Sequence, residues 1–382
     1  MTRVSVNPNM LRWARDRSGM DAGDLAIRFP KLSEWELQER LPTLKQLEQY
    51  AHATLTPIGY LFLPEPPVEQ VPIPDFRTMA DRRIARPSPN LLETIYICQQ
   101  RQEWYREHAL VQGFPEIDFV GSATLDSPID GVAAAMRRRL GFDLEARRTC
   151  ATWEEALRQF IAQADAAGVM VMCSGVVGNN NHRGLDPEEF RGFALADALA
   201  PLVFINGADT KSAQMFTLAH ELAHLWLGQS ALSDADAIGR TTGAVERWCN
   251  RVAAELLVPM DALRAAFEED ESIDSAKLRL ARRFKVSTLV VLRRLFDAGR
   301  LTQQDFWAAY HAEVERLLGM QRSRGGGNFY LYQAARVSKR FARALVTSTL
   351  EGQTLYRDAL RLVGIAKVET LHNLGRSVGL PV

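Results

Sequence analysis

Apolar and polar positions along this 382-residue chain fall into blocks of different period. Over residues 1–63 the apolar positions recur at spacings of three and four. Leu11, Ala14 and Arg15 begin one amphipathic helix, Asp24-Leu25-Ala26 sits in a second, and Leu44, Leu47, Tyr50 and Ala51 line a third. Pro42-Thr43 marks the start of that third helix. Residues 64–90 lose this period. They carry Pro64, Pro66, Pro67, Pro72, Pro74, Pro87 and Pro89, which predict an extended, stiff connector. Residues 91–165 return to helical spacing through Leu91, Leu92, Ile95, Tyr96 and Trp104, then Trp153, Ala156, Leu157 and Phe160.

The pattern changes again over residues 168–207. Val169–Cys173, Phe190–Asp197 and Pro201–Gly207 are short apolar runs suited to buried strands, with a turn-rich loop from Asn179 to Gly184. They predict a small antiparallel sheet, whose edge strand can hold an extended peptide by backbone pairing. Met215–Leu227 is then apolar on nearly every face, the mark of a buried helix. Val245, Trp248, Cys249, Val252, Ala253 and Leu256 form the core stripe of a further helix, closed by Pro259.

The buried helix carries polar groups that need a reason. His220-Glu221-Leu222-Ala223-His224 places two imidazoles four residues apart, about 6 Å along a helix axis and on one face. That spacing lets both bind one zinc ion, with Glu221 set as the base for an attacking water. A polar group buried without a partner costs roughly 2–7 kcal/mol, a cost that a metal removes. The bland alternative is a pair of histidines hydrogen-bonded within the core. A catalytic zinc also needs a third protein ligand. Glu246 and Asn250 lie one turn apart along the edge of the next helix's core stripe. Glu246 can reach a metal there, with Asn250 supporting a ligand from behind. On position alone, a solvated helix carboxylate is the commoner meaning of Glu246.

Composition narrows the classes. Hydrophobic content of 47% and charged content of 24% are those of an ordinary globular protein, and the formal net charge of zero implies no general pull toward nucleic acid or membrane. Cys98, Cys150, Cys173 and Cys249 form no C-x-x-C pair, which argues against a cysteine-rich zinc site and suits a reducing compartment. No apolar run approaches the ~20 residues that span a bilayer, and the N-terminus has no signal-peptide core. A cytoplasmic location without membrane partners is expected.

Two resemblances sharpen the picture. Phe216-Thr217-Leu218-Ala219-His220-Glu221-Leu222-Ala223-His224, with Glu246-x-x-Cys249-Asn250 and Ala253 to Pro259, resembles the ImmA/IrrE family of gluzincin-like zinc endopeptidases over roughly residues 165–300. The stretch from Leu185 to Leu195 is similar to members of that group as well. The resemblance implies His220, His224 and Glu246 as ligands of one Zn2+ per chain and Glu221 as catalytic base. Cys249 and Val252 stand where the family has Ala and Phe; both fit the core stripe, but Cys249 could approach the metal and close the site. Residues 1–63 resemble a phage-repressor helix-turn-helix, a common fusion in the family. Its expected recognition segment, Pro30–Arg40, is short, opens with Pro and carries Glu34, Glu36 and Glu39, so DNA binding and a packing or protein-contact role stand about equal.

The expected fold is α+β and predominantly helical. A helix-turn-helix bundle (1–63) and a proline-rich linker (64–90) precede a helical region (91–165). A metallopeptidase domain (166–300), with its small sheet against the H-E-x-x-H helix, leads into a helical C-terminal region (301–382). Residues 278–302 also sound like a helix-turn-helix and are read as ordinary structure. Oxyanion donors are sought among His182, Tyr310, His311, Tyr330 and Tyr332. Arg336, Lys339, Arg340 and Arg343 share one helical face in a stretch without acids between Glu315 and Glu351, a candidate contact for nucleic acid or another anion. The expected function is cleavage of a regulatory protein, a repressor or an antitoxin, in a stress, mobile-element or toxin–antitoxin response. The alternatives are a DNA-binding regulator with a structural or sensory metal, and a scaffold that sequesters a partner uncut.

Overall fold

The computed structural model describes residues 3–75, 86–233, 243–320 and 334–382. Two compact units emerge. The smaller comprises Met1–Pro72 and Arg83–Glu93; the larger comprises Ile73–Arg82 and Thr94–Val382.

The smaller unit is a bundle of α1 (Pro8–Ser18), α2 (Ala22–Arg28), α3 (Leu32–Glu36) and α4 (Leu44–Ala53). Asn7, Asp21 and Thr43 cap three of these helices, and Thr43 with Gln46 forms a reciprocal capping box. Met10, Leu11, Leu25, Trp35, Leu47 and Tyr50 make its core, with the Tyr50 hydroxyl donating to the Leu11 carbonyl at 2.7 Å. The expected recognition segment is only the five-residue α3. The chain turns away at Gln38, whose φ of 61° a helix cannot hold.

The larger unit holds α5 (Pro89–Val111) from Thr94 onward, then α6 (Ile129–Leu140), α7 (Leu144–Arg148) and α8 (Trp153–Ala166). Four strands follow around the central helix: β1 (Met170–Ser174), β2 (Gly192–Leu195), β3 (Leu202–Asn206), α9 (Lys211–Leu227) and β4 (Ala231–Ser233). Among the described residues they form one sheet in the order β1-β3-β2-β4. The sheet is mixed, not antiparallel as expected. β2 and β3 form a hairpin, β3 lies between β2 and β1, and β1 therefore runs parallel to β3. The run of side chains in a fully buried strand does not say which edge the next strand will join, so only the hairpin was readable from the pattern. β4 was not foreseen; three residues carry no measurable period.

α9 packs across β2 and β3, and α10 (Ala244–Leu257) packs across α9. Residues Gln214 to Trp226 of α9 are all buried, which accounts for its all-round apolar sequence. Thr210 caps its start, and Gly228, at φ 68°, ends it. A side chain at Gly228 would lie 2.9 Å from the Gly121 Cα, so glycine also permits that close approach of the chain. α11 (Met260–Ala266), α12 (Ile273–Phe284) and α13 (Thr288–Asp297) complete this core, where Leu280, Phe284, Val290, Val291 and Leu295 are buried. The helix-turn-helix sound of 278–302 is thus ordinary core packing. Arg294 pairs with Glu255 and Arg147 donates to the Phe284 carbonyl, tying these helices to the rest.

α14 (Gln303–Met320) packs against α13. The helices Lys339–Leu350, Tyr356–Val363 and Val368–Ser377 lie in the C-terminal region. The buried Arg101 of α5 donates to the carbonyls of Leu362 and Arg336 at 2.9 and 3.2 Å, and Asn179 donates to those of Val363 and Gly364. No described helix is long and apolar enough to cross a membrane.

Candidate metal centre

α9 and α10 cross so that three side chains meet. The Nε2 atoms of His220 and His224 stand 3.1 Å apart. Glu246 Oε2 lies 3.2 Å from His220 Nε2, and Glu246 Oε1 lies 3.0 Å from His224 Nε2. Their ligand atoms all fall within 4.8 Å of one another, a possible metal-binding site. A tetrahedral zinc with bonds of about 2.0–2.1 Å holds its ligand atoms about 3.3 Å apart, close to this triangle. All three side chains are at most 2% exposed.

The polar atoms around the triangle argue the same way. Neither Glu246 oxygen accepts a well-formed hydrogen bond, nor does either Glu221 oxygen, and Asn250 Oδ1 and His220 Nδ1 are likewise unsatisfied. Such a concentration of buried polar atoms is costly unless something else binds there. A cation on the two Nε2 atoms would fix the ring protons on Nδ1. Asn250, which stands beside His220, would then accept from that ring. The residues present therefore fit a divalent metal, and the simple core-histidine alternative leaves too many groups unpaired.

The electrostatics are those of a site short of positive charge. Burial works to raise the Glu246 carboxyl, but His220 and His224 hold it down at about 2. Burial pushes Glu221 up to about 8, with Glu246 adding to the rise and His220 opposing it. His220 is raised because Glu246 outweighs burial, and burial lowers His224. Two carboxylates thus share a dry pocket with imidazoles as their main counter-charges, where a cation is the natural complement.

Gly192 and Ser233 belong to the site and escaped sequence reasoning. Ser233 Oγ is 3.3 Å from His224 Nε2 and fully buried. Gly192, its register partner across β2 and β4, runs close over α9. A Cβ there would lie 2.6 Å from Thr217 Cγ2 and 3.1 Å from Glu221 Oε1. A glycine inside a strand was the available signal for that close approach. Nothing in the sequence marked Ser233.

Other candidates fall elsewhere. Cys249 is fully buried in the hydrophobic core, and its sulfur is not part of the ligand group. Burial, with Glu246 and Glu221 adding to it, drives its thiol well above the ordinary range. Tyr310 and His311 lie in a separate aromatic cluster on α14 with Phe306 and Trp307. His182 is exposed on the loop after β1, its backbone N–H donating to Asn180. Tyr330 and Tyr332 lie outside the described residues. The basic quartet does not form one open face. Ser338, at φ 68°, separates Arg336 from the helix that holds the other three. Arg340 donates to the Tyr105 hydroxyl and the Asp165 carbonyl, Arg336 to Asn179 and Asn181, and Arg343 to the Val378 carbonyl. Lys339 is exposed. Side-chain periodicity reported the spacing of these cations but not the acceptors that occupy them.

Paired imidazoles one turn apart, a carboxylate from the next helix and a buried glutamate between them define a metallopeptidase-like centre. Residues 164–296 match the family model described as the IrrE N-terminal-like domain, of the peptidase M78 family, and this segment is a domain of that family. The match runs from the end of α8 into α13 and contains the sheet and both site helices. Residues 337–377 match a domain of unknown function. No curated protein matches the chain.

Proposed function

We propose that this protein is a zinc-dependent endopeptidase that cleaves a regulatory protein, a repressor or an antitoxin, within the cytoplasm. The observation that carries the reading is the buried triangle of His220, His224 and Glu246, with ligand atoms 3.0–3.2 Å apart, beside the buried Glu221. These three residues would hold the zinc, which when bound polarises a scissile carbonyl and makes water a stronger acid. Glu221 takes the proton from the attacking water and returns it to the leaving amine. Its buried setting, which raises its affinity for a proton, suits that shuttle. Ser233, whose hydroxyl lies 3.3 Å from His224 Nε2, is the candidate donor to the oxyanion.

The choice of a regulatory substrate rests on the family resemblance alone. The alternative, a DNA-binding regulator with a structural metal, draws little support from the smaller unit. Arg15 and Arg17 are held by Glu36 and Glu69 at 2.9 and 2.7 Å, so cations that phosphate contacts would use are already paired. The test is incubation with the products of neighbouring genes, with and without chelator. Glu221→Gln should retain zinc and lose cleavage. Undiminished proteolysis by that variant would remove the proposed base.

A further inference from the structure

Among the described residues β4 is the terminal strand of the sheet, with β2 as its strand neighbour. A terminal strand normally leaves a row of free backbone groups. Here Ala231, Leu232 and Ser233 are all fully buried. The Leu232 N–H donates to the Pro74 carbonyl at 2.9 Å, and Asp75 bridges Leu232 in the parallel sense. Pro74 and Asp75 therefore lie against the outer edge of β4 through one backbone hydrogen bond and one isolated bridge.

That edge leads straight to the chemistry. Ser233, the residue after Leu232, touches His224, and its partner Gly192 packs against Glu221. An extended peptide pairing with β4 would lay its backbone beside the imidazoles and the proposed base. The segment suits occupation without extension of the sheet. Pro72 and Pro74 have no N–H to offer a further strand, and both favour an extended backbone. The catalytic side chains are at most 2% exposed while this edge is taken.

We infer that Ile73–Asp75 is a built-in competitor for the peptide-binding edge, so that this protein is self-inhibited and an extended peptide has to displace the segment to reach the metal centre. The inference deepens the endopeptidase reading and rests on it; the contact with β4 does not. Because the competitor is part of the chain, it acts at high effective concentration, and a substrate that pairs over more residues than these three outcompetes it.

The test uses the full zinc-loaded chain and a variant with Ile73→Gly, Pro74→Gly and Asp75→Gly together. Hydrogen exchange at the Leu232 amide should speed up about tenfold, the equivalent of one net hydrogen bond. Transfer of zinc to EDTA should speed up by a similar factor. The synthetic peptide spanning Val68 to Asp75, added in excess, should restore both rates toward wild type. Unchanged Leu232 exchange, or faster exchange with unchanged zinc transfer, would overturn the inference. Amides of α9 serve as the folding control. If they also lose protection, Pro74→Ala, which keeps the accepting carbonyl and relaxes the backbone, replaces the triple variant, and both rates should rise by a smaller factor. A wild-type chain that retains no zinc would sink the endopeptidase reading, while the Leu232 exchange would still report on the segment.

Discussion

Gly192→Ala tests how closely β2 is pressed onto α9. The added methyl would sit 2.6 Å from Thr217 Cγ2 and 2.9 Å from the Phe204 carbonyl oxygen. Carbon atoms in good contact are about 3.5–4.0 Å apart, so the first contact is short by about 1 Å. Thr217 is β-branched on a buried helix and has few rotamers to retreat into. Phe204 belongs to β3, between two strands, so its carbonyl is fixed. The strain falls on the spacing between β2 and α9. Overpacking of this kind costs about 1–3 kcal/mol, and a backbone obstacle puts this site near 3. At about 2.1 cal/mol/K per residue, a unit of about 300 residues loses about 1.6 °C per kcal/mol, which gives a drop in Tm of about 5 °C. The measurement is thermal unfolding of both proteins in chelator, so that metal affinity does not enter. The methyl also approaches within 3.1 Å of Glu221 Oε1, and a displacement of about 1 Å at a catalytic group costs about a hundredfold in rate. A variant that melts within a degree of wild type and keeps full activity would refute the close approach and the placement of Glu221 beneath β2.

Three further expectations follow from other parts of the structure. Cys249→Ala should keep a full complement of zinc, because the sulfur lies in the core; its cost is about 1–2 kcal/mol of stability, read from urea unfolding. Glu246→Ala should lower zinc affinity by more than about a hundredfold in a competition titration, since it removes a ligand outright, where loss of a supporting residue alone costs 10–100-fold. Acid should weaken the packing of α14. Burial works to raise Glu313, but Arg316, Thr288 and Lys277 hold it down at about 2, against an ordinary value of 4.5. Its stabilising contribution is therefore complete above pH 4.5 and disappears as pH falls toward 2. Glu313→Gln should flatten that limb of a stability–pH curve, and an unchanged limb would assign the acid sensitivity elsewhere.

The parts of the site that were legible are those whose chemistry demands fixed spacing. His220 and His224 must be four apart to share a metal, and an apolar helix cannot hide them otherwise. Glu246 was placed on the right helix by the core stripe of α10 but needed family resemblance to be chosen over a solvated carboxylate. Ser233 was invisible, because a three-residue strand has no period and a lone serine has many uses. The β1–β3 pairing was also beyond reach, since both strands are apolar on both faces and fit either direction. The oxyanion donors and the basic quartet were selected by residue type. Residue type reports what a side chain can do, and only the fold reports that Tyr310 stacks on Phe306 or that Arg340 is held by Tyr105.

Zinc K-edge absorption spectroscopy on the metal-loaded protein bears most directly on the central claim. One zinc per chain, bound only by nitrogen and oxygen at about 2.0–2.1 Å with the scattering pattern of two imidazoles, is the predicted result. A protein that retains no zinc, or a spectrum with sulfur at about 2.3 Å, would contradict it.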